Sequence, residues 1–160
     1  MRHGFWALAL ELPDSSKGSF RESPGVGAAA QYTLDDIYLL RYSYGVAWTV
    51  EVSDEFAEWY GELTDDEHES VNFSVDLLEE LGPSLGRPHV DTVRDSRHAN
   101  MKELRVQHQG RPYRILFAFD PRRAAYLILG GDKTGDANWY RANVKKADEI
   151  YDAHLREIKE

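Results

Sequence analysis

Residues 102–120, KELRVQHQGRPYRILFAFD, constrain the fold more than any other stretch of the chain. Two runs of alternating apolar and polar residues flank Gln109-Gly110, the pattern of two antiparallel strands joined by a tight turn. A loop of two or of four residues gives the same pairing: position 105 opposes 114, 104 opposes 115 and 106 opposes 113. Opposed residues share a face. Leu104, Val106, Tyr113 and Ile115 therefore make one apolar face, and Arg105, Arg114 and Gln107 lie on the other. Like charges placed side by side destabilise such a pair, so the two arginines ask for an anion between them. A phosphate suits them, because guanidinium forks match its oxygens two at a time. A structural carboxylate, from Glu103 or from an acid of the last helix, suits them equally well, and the sequence leaves both open.

The flanking segments punctuate themselves locally. AWTVEV (47–52) alternates Trp48, Val50 and Val52 against Thr49 and Glu51, which predicts a half-buried strand. Ser53 follows as a helix cap, with Asp54 and Glu55 at the positive end of the helix dipole. Phe56, Trp59, Tyr60 and Leu63 then form one apolar stripe. Thr64 and Glu67 have the spacing of a capping box. They open a second helix that buries Val71, Val75, Leu78 and Leu81 and stops at Gly82-Pro83. GRPHVDTVRDSRHANM is expected to be loop. After the hairpin come DPRR, a strand AAYLILGG, a loop DKTGD, and a last helix that Asp136 can cap and that buries Val144, Ala147, Tyr151, Leu155 and Ile158.

The order β-α-α-β-β-β-α predicts an α+β layer fold: two helices packed on one face of a four-stranded, mainly antiparallel sheet, plus a C-terminal helix. The arginine pair is expected on the other face. The folded domain is expected over residues 46–160. Residues 1–45 read as an N-terminal extension, partly disordered, because PDSSKGSFRESPGVGAAA (13–30) is rich in Pro, Gly, Ser and Ala. YTLDDIYLLRY (32–42) offers one short element there, helix or strand. FWALAL (5–10) is interrupted by Glu11 and lacks a nearby cleavage site, which argues against a secretory leader. The chain has no cysteine, which excludes disulfides and thiolate metal sites. No apolar run approaches the ~18 residues that a membrane helix needs.

A net charge of −9 argues against a polyanion partner until it is resolved along the chain. Residues 51–84 carry twelve acids and no Lys or Arg, whereas residues 85–146 carry thirteen bases against six acids. Such polarity fits a polyanion on one surface and repulsion on another, although solvated acidic helices beside a basic loop would look the same. Lys133, in the loop after AAYLILGG, and Tyr140, near the start of the last helix, fall at one edge of the arginine face if that strand lies beside the Arg114 strand. Two arginines, a lysine, a tyrosine and either His98 or His108 would suffice to cleave RNA without a metal. The 2′-hydroxyl attacks the adjacent phosphate, a base takes its proton, cations hold the charge on phosphorus and an acid protonates the departing 5′ oxygen. Tyr140 can serve as the base if nearby cations lower its pKa, or stack on a base. Each residue also has a purely structural reading: Tyr140 as packing, Lys133 as solvated loop, the histidines as ordinary loop residues. The other histidines show no metal-ligand spacing with one another, and GGDKTG lacks the spacing of a nucleotide-binding phosphate loop.

The element order and SRHANMKELRVQHQGRPYRILFAFDPRRAAYLILGGDKTGDANWY (96–140) resemble the RelE/HigB family of toxins from bacterial type II toxin–antitoxin systems, in particular the phage-derived HigB-like branch. The resemblance covers roughly residues 46–158. It implies a RelE/ParE-like fold and a cytoplasmic endoribonuclease that cleaves mRNA, often on the ribosome, without metal or other cofactor. It also implies an antitoxin partner, usually a helix-turn-helix protein, through which alone operator DNA would be reached. The resemblance places the family's functional cations at Arg105, Arg114 and Lys133 and its tyrosine at Tyr140. Glu103 stands where some relatives have a second strand lysine, which changes the number of cations facing the phosphate. His98 is added here as a candidate base. Lys102, Gln107, His108, Arg111 and Trp139 are expected to contact RNA. The alternatives are a ParE-like toxin that binds DNA gyrase without cutting RNA, or an inactive relative that only binds its antitoxin.

Overall fold

A computed structural model describes residues 47–160; the expectations for residues 1–45 lie outside the described residues. The chain forms β1 (Thr49–Val52), α1 (Asp54–Gly61), α2 (Asp65–Leu81), a short 3-10 turn (Gly82–Ser84), β2 (Val90–Thr92), β3 (Lys102–His108), β4 (Arg111–Phe119), β5 (Ala124–Asp132) and α3 (Trp139–Glu157). The strands lie in the order β1-β5-β4-β3-β2, with β1 parallel to β5 and every other pair antiparallel. The fold is α+β as expected, but the sheet has five strands rather than four. The additional strand, β2, comes from the segment read as loop. Three residues are too few to show alternation in sequence, and its pairing with β3 is what makes Val90–Thr92 a strand.

The hairpin adopts the expected register. Arg105 opposes Arg114, Leu104 opposes Ile115 and Val106 opposes Tyr113. Its two-residue turn has positive φ at Gln109 (47°) and Gly110 (78°), the combination that matches the twist of the flanking strands. The helix starts also follow local chemistry. Ser53 accepts from the Phe56 amide, and Thr64 and Glu67 complete a reciprocal capping box. Gly82 ends α2. The last helix differs: Asn138, not Asp136, is its N-cap residue, and Asp136 instead accepts the Asn138 amide at 2.8 Å within the preceding loop.

The two faces of the sheet bury different material. On one, α1 and α2 cover Leu104, Val106, Tyr113, Ile115, Phe117 and Leu127. On the other, α3 packs Trp139, Val144, Ala147 and Tyr151 against Met101, Leu116, Ala118 and Ile128. The C-terminal helix thus roofs the face that carries the arginines. Adjacent glycines on β5 admit both layers. A Cβ on Gly130 would strike the Trp59 ring, and one on Gly131 would stand 2.7 Å from Trp139 Nε1. Period-two alternation sends the two tryptophans to opposite faces.

Candidate functional site

Odd-numbered positions of β3 face α3, so Glu103, Arg105 and Gln107 share that face with Arg114 of β4. The arginines emerge together, as their register requires, and the anion between them is Glu103. Glu103 is only 4% exposed. Glu103 Oε1 accepts from Arg105 Nε at 2.9 Å, and Oε2 accepts from the Tyr140 hydroxyl at 2.5 Å. Arg105 Nη2 donates at 2.9 Å to Asp91 Oδ2, from the strand directly alongside. The structural carboxylate left open by the sequence is therefore present.

Arg114 is held less completely. Its Nη1 donates to the Tyr113 carbonyl at 2.9 Å, but its Nε is buried without a hydrogen-bond acceptor among the described residues. Glu103 Oε2 stands 3.9 Å from that Nε, beyond hydrogen-bonding range. Lys133 follows β5, its amide bonded to the Pro112 carbonyl, and its Nζ sits 5.0 Å from the Tyr140 ring centroid. Arg105, Arg114 and Tyr140 thus gather on Glu103, and Lys133 lies against the Tyr140 ring, although the four come from β3, β4, the β5–α3 loop and α3.

The cluster sets its own protonation. Burial, reinforced by the bond to Glu103, pushes the Tyr140 phenol above its ordinary value despite the opposing effect of Arg114. The condition set for Tyr140 to act as a base, a pKa lowered by nearby cations, is not met: the loss of solvent and the carboxylate on its hydroxyl outweigh the guanidinium. The bond to Glu103 raises Arg105 further. The Thr92 amide and Arg87 keep Asp91 ionised. Two open grooves reach the cluster. One, of about 630 Å³, is lined by Ser70 and Phe73 of α2 with Arg105, Gln107 and Arg114. The other, of about 710 Å³, runs from Tyr140 past Arg141 and Lys145 to Arg97.

The remaining expected site residues are placed elsewhere, Gln107 excepted. His98 bonds Asp152 at 2.8 Å and sits edge-on to Tyr151. Asp152 lies twelve residues along α3 from Tyr140, about 18 Å at helical rise, so His98 is not beside the arginines. Trp139 is 5% exposed and packed against Gly131, with no open ring face for a base. Lys102 and His108 are even-numbered on β3 and turn to the α1/α2 side. There His108 bonds Ser70 and stacks on Tyr113. Arg111 is held by Asp132 and Glu67. Gln107 alone of that set is exposed on the arginine face.

A second polar cluster lies at the far end of α3. His154 bonds Asp120 at 2.9 Å, and Glu51 is close enough that one ligand atom from each of the three lies within 4.8 Å of the others. Arg122 donates to both carboxylates, at 2.5 Å to Glu51 and 2.7 Å to Asp120, and so fills the place a cation would take. The group ties α3 to β1 and to the β4–β5 turn. Among the described residues no helix is long and apolar enough to cross a membrane.

Residues 58–152 match the family model described as phage derived protein Gp49-like (DUF891). The chain belongs to this family. Over 117 residues it is 46% identical to a protein of Mycobacterium tuberculosis named putative toxin HigB2, a match covering 72% of this chain and 58% of that protein. It is 53% identical over 92 residues to putative toxin HigB3 of the same organism, covering 57% of this chain and 79% of the relative. The chain thus spans little more than half the length of the first of these relatives. A solved structure of an E. coli toxin RelE mutant in the free state aligns with a TM-score of 0.46 at 12% identity, over 62% of this chain and 96% of that one. The Gp49-like match and the HigB-named relatives bear out the RelE/HigB-type family expected from residues 96–140.

Proposed function

We propose that this Gp49-like protein is the toxin of a toxin–antitoxin pair and acts as a metal-independent endoribonuclease on mRNA bound to the ribosome. The observation that carries this reading is the gathering of Arg105, Arg114 and Tyr140 on Glu103 with Lys133 against the Tyr140 ring, and a buried Arg114 Nε that lacks an acceptor among the described residues. An oxygen of a phosphodiester supplies that acceptor. The scissile phosphate sits against the guanidiniums, which hold the charge that builds on phosphorus as the 2′-oxygen bonds to it. Glu103 is the carboxylate within reach to take the 2′-hydroxyl proton. Tyr140 or Lys133 returns a proton to the 5′ oxygen as its bond to phosphorus breaks, leaving a 2′,3′-cyclic phosphate and a 5′-hydroxyl. The two grooves give the strand an entry and an exit. The partner is an antitoxin of helix-turn-helix type, through which the pair reaches operator DNA.

One observation favours a second reading. Arg105 is already held by Glu103 and Asp91, as expected if the cluster is a structural ion network in a toxin that binds DNA gyrase or only its antitoxin. Growth arrest on expression, RNA end mapping and DNA supercoiling in the same cells separate these. The nuclease reading predicts new mRNA ends with unchanged supercoiling, and loss of arrest in Arg114→Ala and Lys133→Ala proteins that remain folded. Arrest that persists in a folded double variant, or altered supercoiling without new RNA ends, removes the proposed site.

A further inference from the structure

We infer that Glu103 is an internal stand-in for the substrate phosphate: its carboxylate occupies the anion position among Arg105, Arg114 and Tyr140 and yields it when a phosphodiester binds. The inference rests on the nuclease reading and adds regulation to the same site. If Glu103 were only a structural acid, the donors around it would be satisfied by it. They are not. Arg105 Nε and the Tyr140 hydroxyl each have an oxygen of their own, which uses one side of a planar carboxylate for each. Arg114 Nε, buried on the same spot, is left 3.9 Å from Oε2 without a bond. A phosphate group is tetrahedral and presents more oxygens in three dimensions, so it can meet all three donors where the carboxylate meets two.

The charge balance points the same way. Arg105 and Arg114 face Glu103 and Asp91, two cations against two anions, so the occupied cluster has little net attraction for a further anion. A phosphate that merely joined Glu103 would set two anions against each other at low solvent exposure, where such repulsion is strong. It must replace the carboxylate, which requires the Glu103 side chain to turn away about its own staggered torsions. Free RNA is then held weakly, and only a strand that gains binding energy along the two grooves, or is presented by a larger assembly, displaces the internal anion. Nonspecific attack on RNA is suppressed by the residue that the active site uses as its proton acceptor.

The test measures binding apart from cleavage, using the full chain and a short 2′-O-methyl RNA that cannot be cut, by fluorescence anisotropy. Glu103→Gln keeps the shape and an acceptor oxygen but removes the charge. It is expected to bind the oligonucleotide more tightly than the unaltered protein, on the order of tenfold, while Arg114→Ala binds more weakly. Equal or weaker binding by a folded Glu103→Gln, with Arg114→Ala still impaired, overturns the stand-in role and leaves the phosphate site intact. Unchanged binding by Arg114→Ala overturns both. Should Glu103→Gln fail to fold, the unaltered protein is titrated with inorganic phosphate and the Arg Nε–H resonances are followed. Displacement of Glu103 predicts saturable shifts at both Arg105 and Arg114. A shift at Arg114 alone, or at neither, overturns the proposal.

Discussion

The two faces of the β3–β4 hairpin come from the same nineteen residues and obey the same register, yet they behave as different materials. Under α1 and α2, Leu104, Val106, Tyr113 and Ile115 are 0–1% exposed and close an apolar layer. Under α3, the alternate positions hold Glu103, Arg105 and Arg114 in a ladder of charges that ends on a buried nitrogen without an acceptor among the described residues. The first face is closed; the second keeps one buried donor unmatched among the described residues. The α3 side has an apolar core of its own, with Leu116 and Ala118 fully buried, so the mismatch is confined to its charged positions, and unmatched buried donors are expected where a ligand supplies the missing acceptor.

The largest effect that separates the faces is on stability. Leu104→Ala removes a side chain with no exposed surface, and should cost about 2–5 kcal/mol in urea unfolding. Arg114→Ala should cost less stability than that while lowering cleavage roughly 10²–10³-fold, the usual result of removing one donor from a developing anion. If the two substitutions exchanged these effects, the assignment of the faces would be reversed. Gly131→Ala sharpens the comparison at the boundary of the α3 layer. Its new methyl would meet Trp139 Nε1, so a loss of about 1–3 kcal/mol is expected, together with weakened cleavage because Tyr140 follows Trp139. Gly130→Ala, aimed at Trp59 on the opposite face, should destabilise without a separate effect on the chemistry of folded molecules.

The smallest effect concerns pH. Glu67, on the α1/α2 side, is held down to about 2 from an ordinary 4.5, chiefly by the Tyr113 hydroxyl and the Thr64 amide. A carboxyl depressed in the folded state adds stability that is complete above its unfolded value and is lost as the pH falls through the folded one. The urea midpoint should therefore decline between about pH 4.5 and 2, and Glu67→Gln should flatten that limb. An unchanged slope would show that this network does not contribute.

What could be read from the sequence was whatever local chemistry encodes. The hairpin register followed from a turn and two alternating strands, and the starts of α1 and α2 from Ser53, Thr64 and Glu67. The contacts that complete the site are long-range and leave no periodic trace. Tyr140 reaches Glu103 across 37 residues, Asp91 reaches Arg105 from a three-residue strand, and His98 is taken away by Asp152 across 54 residues. Glu103 itself was visible as an odd-numbered neighbour of Arg105 on the same face. It was also legible as a candidate carboxylate between the arginines; its burial was not, because nothing in β3 announces that α3 will roof it.

The most direct test of the role proposed for the arginine face is whether the protein cuts RNA and what ends it leaves. Purified full-length protein, incubated with programmed ribosomes, should release fragments bearing 2′,3′-cyclic phosphate and 5′-hydroxyl ends, and a folded Arg114→Ala protein should release almost none. Undiminished cutting by that variant, or no cutting by the unaltered chain on ribosomes that a control nuclease cleaves, would contradict the account.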